Sequence, residues 1–305
     1  ATGVWVDGIR AMDAESSGEK IESMVTPSQG VHLVVDRSFL SKDFALLVPS
    51  TQDGRVLFAV PWLGKVILGT TDTPRDDLPI EPMAFSQEVD FILQESARYL
   101  SKAPTRADVR SVWVGLRPLV KAQKTTTGNT KGLSREHTIL VSESGLVTVT
   151  GGKWTTYRAM AEDVLQQCLD AGLISKTDKP VTTADCPLVG APIPKENHAS
   201  IPLTNQQGTH SYGTEQTLLS TLPGCETWLC EGFSEAMVRF AVRYEYARTV
   251  EDVLARRSRL LFLDAQLALD LADKVATILL SEEIHNPRLA AFKTLAQSYT
   301  LPTPH

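Results

Sequence analysis

The chain has 305 residues, of which 42% are apolar, 22% charged and 7% aromatic. That is enough to bury a sizeable core and, at roughly 100–200 residues per domain, to form about two domains. Thirty Lys plus Arg against 36 Asp plus Glu give a net charge of −6 with no basic tail, which removes the generic electrostatic footprint of a nucleic-acid binder.

The opening Ala1-Thr2-Gly3-Val4-Trp5 lacks an initiator Met and reads as a small-residue turn entering a short helix, cut from a longer chain. From 31 to 150 the pattern is mainly short β-branched or aromatic runs separated by Gly, Pro, Asp and Ser, with strands expected at 32–35, 55–60, 66–70, 113–119, 138–141 and 146–150. Trp62-Leu63-Gly64-Lys65 predicts a hairpin turn with Gly64 at positive φ. One helix interrupts the strands from Ser86, with Val89, Ile92, Leu93, Ala97 and Leu100 at helical spacing. An antiparallel sheet is the economical arrangement.

LVTVT then runs into Gly151-Gly152-Lys153-Trp154-Thr155-Thr156, followed by a helical stripe of Tyr157, Met160, Ala161, Val164, Leu165, Cys168 and Leu169 that ends at Gly172. Residues 173–232 read as a linker with one helix near 215–221. Beyond it the chain is helical. Ser234 opens one helix, Thr249 with Asp252 forms a capping box, Asp264 caps a third helix and Asn286-Pro287 opens a fourth. No window approaches the ~18 consecutive apolar residues of a membrane span. Cys168, Cys186, Cys225 and Cys230 contain no C-x2-C pair, so a disulfide framework or zinc site is not expected and a reducing compartment is the default.

Three features carry chemistry. The Gly151-Gly152-Lys153 loop opens a helix directly after a strand, where free amides and a lysine favour an electron-rich group; a tight β-to-α turn with a solvated lysine reads equally well. Arg117 places a planar fork of donors on an apolar strand, suited to phosphate or carboxylate, the alternative being an edge arginine paired with a surface acid. His32 on its strand is either a general base or a structural histidine. Arg256, Arg257 and Arg259 read as a helix face that pairs with acids, with binding to a membrane surface as the sharper alternative. Neither G-x-G-x-x-G nor a Walker A pattern occurs.

Taken together, ATGVWVD, GVHLVVDRSF, DGRVLFAVPWLGKVILGTTDTP, SVWVGLRPLV, SREHTILVSESGLVTVTGGKWTTYRAMAEDV and YEYARTVEDVLARRSRLLFLDA resemble the FAD-dependent, quinone-linked glycerol-3-phosphate dehydrogenase family, over residues 1 to about 170 and 239–265. The resemblance implies an α+β fold: an antiparallel-sheet substrate domain (30–136), remnants of a Rossmann-type FAD domain (1–29 and a return segment at 137–174), and a linker with an all-α C-terminal domain (175–305). Most of the first domain, including its glycine-rich ADP cradle, is missing from this stretch, so the piece alone is expected to be inactive.

The same resemblance implies oxidation of sn-glycerol 3-phosphate to dihydroxyacetone phosphate by hydride transfer to FAD, with electrons passing to quinone. It implies catalytic and substrate-binding roles for His32, Arg117 and Lys153, and flavin contacts from Thr2, Gly3, Gly151, Gly152, Lys153, Trp154 and Thr155, with Ala1 to Gly3 as a strand end bordering the flavin. No metal is called for. Expected partners are glycerol 3-phosphate, quinone, the inner face of the bacterial cytoplasmic membrane and a second copy as a homodimer, with no nucleic acid. Two competing functions are an FAD-dependent amine or amino-acid oxidase, which would bind carboxylate instead of phosphate, and a non-catalytic binding module.

Overall fold

The computed structural model describes residues 2–18, 20–40, 42–51, 54, 56–121, 137–177, 179–192 and 201–301. In chain order its elements are α1 (Val6–Ser17), β1 (Val25–Asp36), β2 (Leu46–Val48), β3 (Leu57–Trp62), β4 (Lys65–Gly69), β5 (Thr73–Pro74), α2 (Ser86–Tyr99), β6 (Val109–Val120), β7 (His137–Val141), β8 (Val147–Gly151), α3 (Tyr157–Asp170), α4 (Gln216–Ser220), β9 (Trp228–Cys230), β10 (Phe233–Ser234), α5 (Glu235–Tyr244), a π-helical turn (Asp252–Arg257), α6 (Leu260–Leu263), α7 (Ala265–Ser281) and α8 (Leu289–Ser298). The main sheet has the order β2-β3-β4-β1-β5, with β6 also pairing with β1. The chain divides into two compact units, the first of residues 1–30, 72–82 and 115–187 and the second of 31–71, 83–114 and 188–305. Strands β1 and β6 each run from one unit into the other.

In the first unit, α1 follows a 3-10 turn at Gly3–Trp5 and ends at Gly18, whose φ of 72° closes the helix. Burial opposes ionisation of the Asp7 carboxylate, but hydrogen bonds from the Met24 and Val25 amides, Ser23 and Arg10 outweigh it and hold the pKa below the ordinary value. That cluster ties α1 to the start of β1. Strands β7 and β8 form an antiparallel ribbon in register from His137↔Gly151 to Val141↔Val147. Helix α3 ends in a Schellman motif: Leu173 N–H donates to the Cys168 carbonyl at 2.9 Å, Gly172 N–H donates to the Leu169 carbonyl at 3.0 Å, and Gly172 sits at φ 71° as its sequence position predicts. The expected apolar stripe on α3 is not a buried face among the described residues. Tyr157 and Leu165 are exposed, and Met160, Val164 and Cys168 are half-buried.

In the second unit, β3 and β4 meet through the predicted hairpin, with Trp62↔Lys65 as the last pair. Leu63 (φ 50°) and Gly64 (φ 82°) are both left-handed, the geometry of a type I′ turn. A leucine is disfavoured there, and the turn is supported from outside: the amides of Leu63 and Gly64 donate to the carbonyls of Leu203 (2.7 Å) and Thr204 (3.0 Å). One core packs Leu33, Leu57, Leu68 and Ile92 between the sheet and α2. Another packs Leu219, Phe240, Leu254, Leu261, Leu279 and Phe292 among the C-terminal helices, each such side chain contributing roughly 1.5–3 kcal/mol by its removal from water.

Several expectations need correction. Strand β1 begins at Val25, seven residues before the predicted start, because Ser28 and Gln29 pair with Pro74 and Thr73 of β5 despite their polar side chains. The stretch read as linker contributes Leu219 and Leu222 to the helical core, and its predicted helix is α4. Ser234 precedes α5, but its hydroxyl is buried without a hydrogen-bond partner among the described residues and does not cap it. Helix α8 starts at Leu289 with Arg288 at φ 52° as its N-cap, two residues past the predicted Asn286-Pro287 start. The Thr249–Asp252 box forms with both reciprocal bonds, at 2.9 and 3.0 Å, yet opens a π-helical turn, and Asp264 caps α7 by accepting from the Leu267 amide at 3.0 Å.

Candidate functional site

Arg117 lies near the C-terminal end of β6, in the first unit. A Cβ built on Gly30 would fall within 2.5 Å of the Arg117 Cζ and Nη1, so the guanidinium occupies the volume that a side chain at Gly30 would take. Its Nη1 is 3.8 Å from a carboxylate oxygen of Asp72, and the same oxygen accepts a hydrogen bond from the Ser28 hydroxyl. Ser28 is buried, whereas the Arg117 side chain keeps 35% exposure. The neighbouring Arg75 is committed to a bidentate pair with Asp77 (2.6 Å for both bonds) and to the Gln29 side chain. This corner therefore presents a half-exposed planar cation against a strand floor, a fork suited to an anionic ligand.

His32, two residues beyond Gly30 along β1, belongs to the second unit. Its register partner is Gly69 on β4, and a Cβ there would meet the His32 Cδ2 at 2.6 Å. The imidazole stacks on Trp113 with centroids 4.3 Å apart and 17° between planes. Trp113 meets Phe262 edge to face at 5.9 Å, and Phe262 meets Tyr299 at 5.7 Å, so His32 heads an aromatic file reaching the C-terminal helices of its unit. Beside it, the Val31 amide donates to Thr71 Oγ1 at 3.0 Å, and Thr71 donates to buried Glu88 at 2.9 Å. Glu88 in turn accepts from the Phe85 amide at 3.0 Å and so caps α2.

The diglycine corner closes β8 in the first unit. Gly151 and Gly152 have φ of 77° and 74°, which β-carbon-bearing residues rarely adopt. A Cβ on Gly152 would lie 2.5 Å from the Met160 sulfur and 3.2 Å from the His137 Cβ, so that glycine is needed for packing as well as for the turn. His137 Nε2 pairs with Asp163 at 2.9 Å, linking β7 to α3. The Lys153 carbonyl accepts from both the amide and the hydroxyl of Thr156 at 3.0 Å, which winds Trp154–Thr156 into the turn before α3. Lys153, Trp154 and Thr155 are exposed; Trp154 reaches 86% exposure and stacks only on Tyr157, with centroids 5.6 Å apart, among the described residues. The hydroxyl of Thr150, immediately before the glycines, is buried with no hydrogen-bond partner among the described residues. An unsatisfied buried hydroxyl, a backbone turned by two left-handed glycines and an exposed lysine make a donor set that fits an electron-rich ring edge.

Arg117 and the 151–155 corner thus fall in one unit and His32 in the other. Thr2 and Gly3 form the entry to the Gly3–Trp5 turn and not a strand end, and Ala1 lies outside the described residues. Of the arginine cluster, Arg256 pairs with Glu251 and Asp252, and Arg257 Nε lies 3.7 Å from a Glu245 carboxylate oxygen, which matches the acid-paired reading for these two. Among the described residues, no helix is long and apolar enough to cross a membrane. Gly30, Gly69, Asp72 and Trp113 were not singled out from the sequence. The available signal was a glycine inside a strand pattern, in GVHLVV and KVILG, which marks a close approach by another group.

Residues 1–158 match the FAD dependent oxidoreductase family, and residues 181–285 match the C-terminal domain of alpha-glycerophosphate oxidase. The chain is similar to the mitochondrial glycerol-3-phosphate dehydrogenase of Schizosaccharomyces pombe, with 36% identity covering 92% of this chain and 51% of that protein. It is also similar to the mitochondrial enzymes of Arabidopsis thaliana (35%, covering 92% and 48%) and Homo sapiens (33%, covering 92% and 40%). The chain spans about half the length, or less, of these curated relatives. Among solved structures, the glycerol-3-phosphate dehydrogenase from Bacillus halodurans complexed with FAD superposes with a TM-score of 0.74 at 24% identity, covering 100% of this chain and 62% of that one, which establishes the fold.

Proposed function

The chain belongs to the FAD-dependent oxidoreductase family, and from that premise we propose that it is part of an enzyme that oxidises sn-glycerol 3-phosphate to dihydroxyacetone phosphate. The observation that carries the reading beyond family membership is the guanidinium of Arg117 held in the space above Gly30, half-exposed and beside Asp72. A fork of this kind grips a phosphate or carboxylate through two parallel hydrogen bonds, and the similarity to glycerol-3-phosphate dehydrogenases favours phosphate.

FAD, when bound, supplies the two-electron acceptor for oxidation of a secondary alcohol. Gly151, Gly152, Lys153, Trp154 and Thr155 would hold it, with backbone amides and the ammonium opposing negative charge at the edge of the ring; Thr2 and Gly3 are assigned to the same cofactor. Arg117 and Lys153 fix the substrate phosphate. His32 takes the proton from the C2 hydroxyl, and its stack on Trp113 holds the ring plane for that transfer. Withdrawing the proton as the carbon is oxidised avoids a protonated ketone, so the reaction calls for a base as well as a cationic anchor. In domain terms, 30–136 forms the substrate domain, 1–29 and 137–174 contribute to the FAD domain, and 175–305 is the linker and helical domain. Electron delivery to quinone, at a membrane met peripherally on its cytoplasmic face, completes the proposal, as does assembly as a homodimer.

Anaerobic titration of the FAD-loaded enzyme tests the substrate. Glycerol 3-phosphate is expected to bleach the flavin absorbance, while amino acids leave it unchanged; bleaching by an amino acid alone would reject the phosphate reading.

A further inference from the structure

The geometry points to Gly30 as a positioning residue that sets the depth at which Arg117 sits on the sheet, an inference that rests on the anion-binding role given to Arg117 above. Gly30 lies within β1 and is absent from the residues with left-handed φ, so its backbone does not call for glycine. Glycine inside a strand carries a local entropic cost and contributes no packing. What requires it is space: a Cβ within 2.5 Å of Cζ and Nη1 is closer than the 3.0 Å below which real Cβ contacts essentially do not occur. An alanine there must lift the guanidinium off the strand.

The displacement matters because the cation is held from a second side. The Asp72 oxygen 3.8 Å from Nη1 is itself anchored by the buried Ser28, two residues before Gly30 on the same strand. The floor at Gly30 and the carboxylate at Asp72 both bear on where the fork points. Raising it changes the aim of both donors at once, and bidentate recognition depends on that aim more than on charge alone. Gly30 acts through Arg117, so the two positions must be coupled.

A double-mutant cycle in the FAD-loaded enzyme tests this. Gly30→Ala is expected to raise KM for glycerol 3-phosphate about tenfold, with a smaller change in kcat. In an Arg117→Lys background the same alanine is expected to change KM less than about twofold, because the fork it displaces is gone. A Gly30→Ala enzyme with KM unchanged, or equal losses in both backgrounds, would overturn the inference. If Arg117→Lys itself leaves KM unaltered, the anion-binding role fails and takes this inference with it, whereas an impaired Arg117→Lys beside a normal Gly30→Ala removes this inference alone. Should Gly30→Ala fold too poorly for kinetics, thermal melting gives an independent readout. The alanine is expected to lower Tm with Arg117 present and not in an Arg117→Ala background; the same drop in both would refute it.

Discussion

Arg117 in the first unit and His32 in the second each lie over a glycine, Gly30 and Gly69, but different forces hold them. The arginine rests against a strand and a carboxylate 3.8 Å away, with a third of its side chain in solvent. The histidine is clamped by a stacked indole at 4.3 Å whose own partners are aromatic. A guanidinium with a third of its side chain in solvent is open to a second anion. A ring held by stacking is fixed in place. The contrast fits the roles proposed above, an anchor for an anionic ligand and a base of fixed orientation.

Breaking the aromatic clamp should give the largest effect. Trp113→Ala leaves a void between His32 and Phe262 and is expected to lower stability by about 3 kcal/mol, measured by denaturant titration. Gly69→Ala pushes on the same ring from the other side. With its Cβ 2.6 Å from His32 Cδ2 and 3.1 Å from the Val31 carbonyl, it should cost about 2 kcal/mol by overpacking. If either substitution proves neutral, the rigid-seat description of His32 is wrong.

Arg117→Lys keeps the charge and loses the fork. It is expected to reduce kcat/KM for glycerol 3-phosphate about tenfold with little change in stability, since the side chain is partly exposed.

The smallest effect sharpens the contrast by locating an ion pair that is structural. At the far end of β1, a hydrogen bond from Arg110 is the main cause that lowers the Asp36 carboxyl to about 2, against the cost of burial and with help from Lys65. A depressed carboxyl pKa contributes stability that is fully present above the unfolded value of 3.8 and is lost as pH falls through about 2. Urea midpoints at pH 5 and pH 2 should therefore differ less in Asp36→Asn than in the unaltered protein.

Much of the fold was legible because local signals agree with the final structure. The β3–β4 hairpin followed from a glycine between two β-branched runs, the Gly172 terminus of α3 from a stripe ending at glycine, and the caps at Thr249 and Asp264 from side chains that reach backbone only a few residues away. The diglycine corner was readable for the same reason, since positive φ at Gly151 and Gly152 is a property of the residues themselves. Ser234 misled because a hydroxyl at a helix start need not turn toward the amides. Residues 25–31 escaped detection because VTPSQGV is too polar to read as a strand; its polar groups are satisfied by Asp72 and Arg75, far away in sequence.

The amino-acid order by itself determined most of the element types, the mixed α and β class and the cation, imidazole and diglycine loop worth examining, since these rest on periodicity or short-range geometry, and its motifs carried the family resemblance. Only the tertiary structure decided that Gly30 makes room for Arg117 and Gly69 for His32, and that Trp113 clamps the imidazole. Contacts of that kind join residues tens of positions apart, and what they require, an absent Cβ or a facing ring, leaves no periodic trace along the chain.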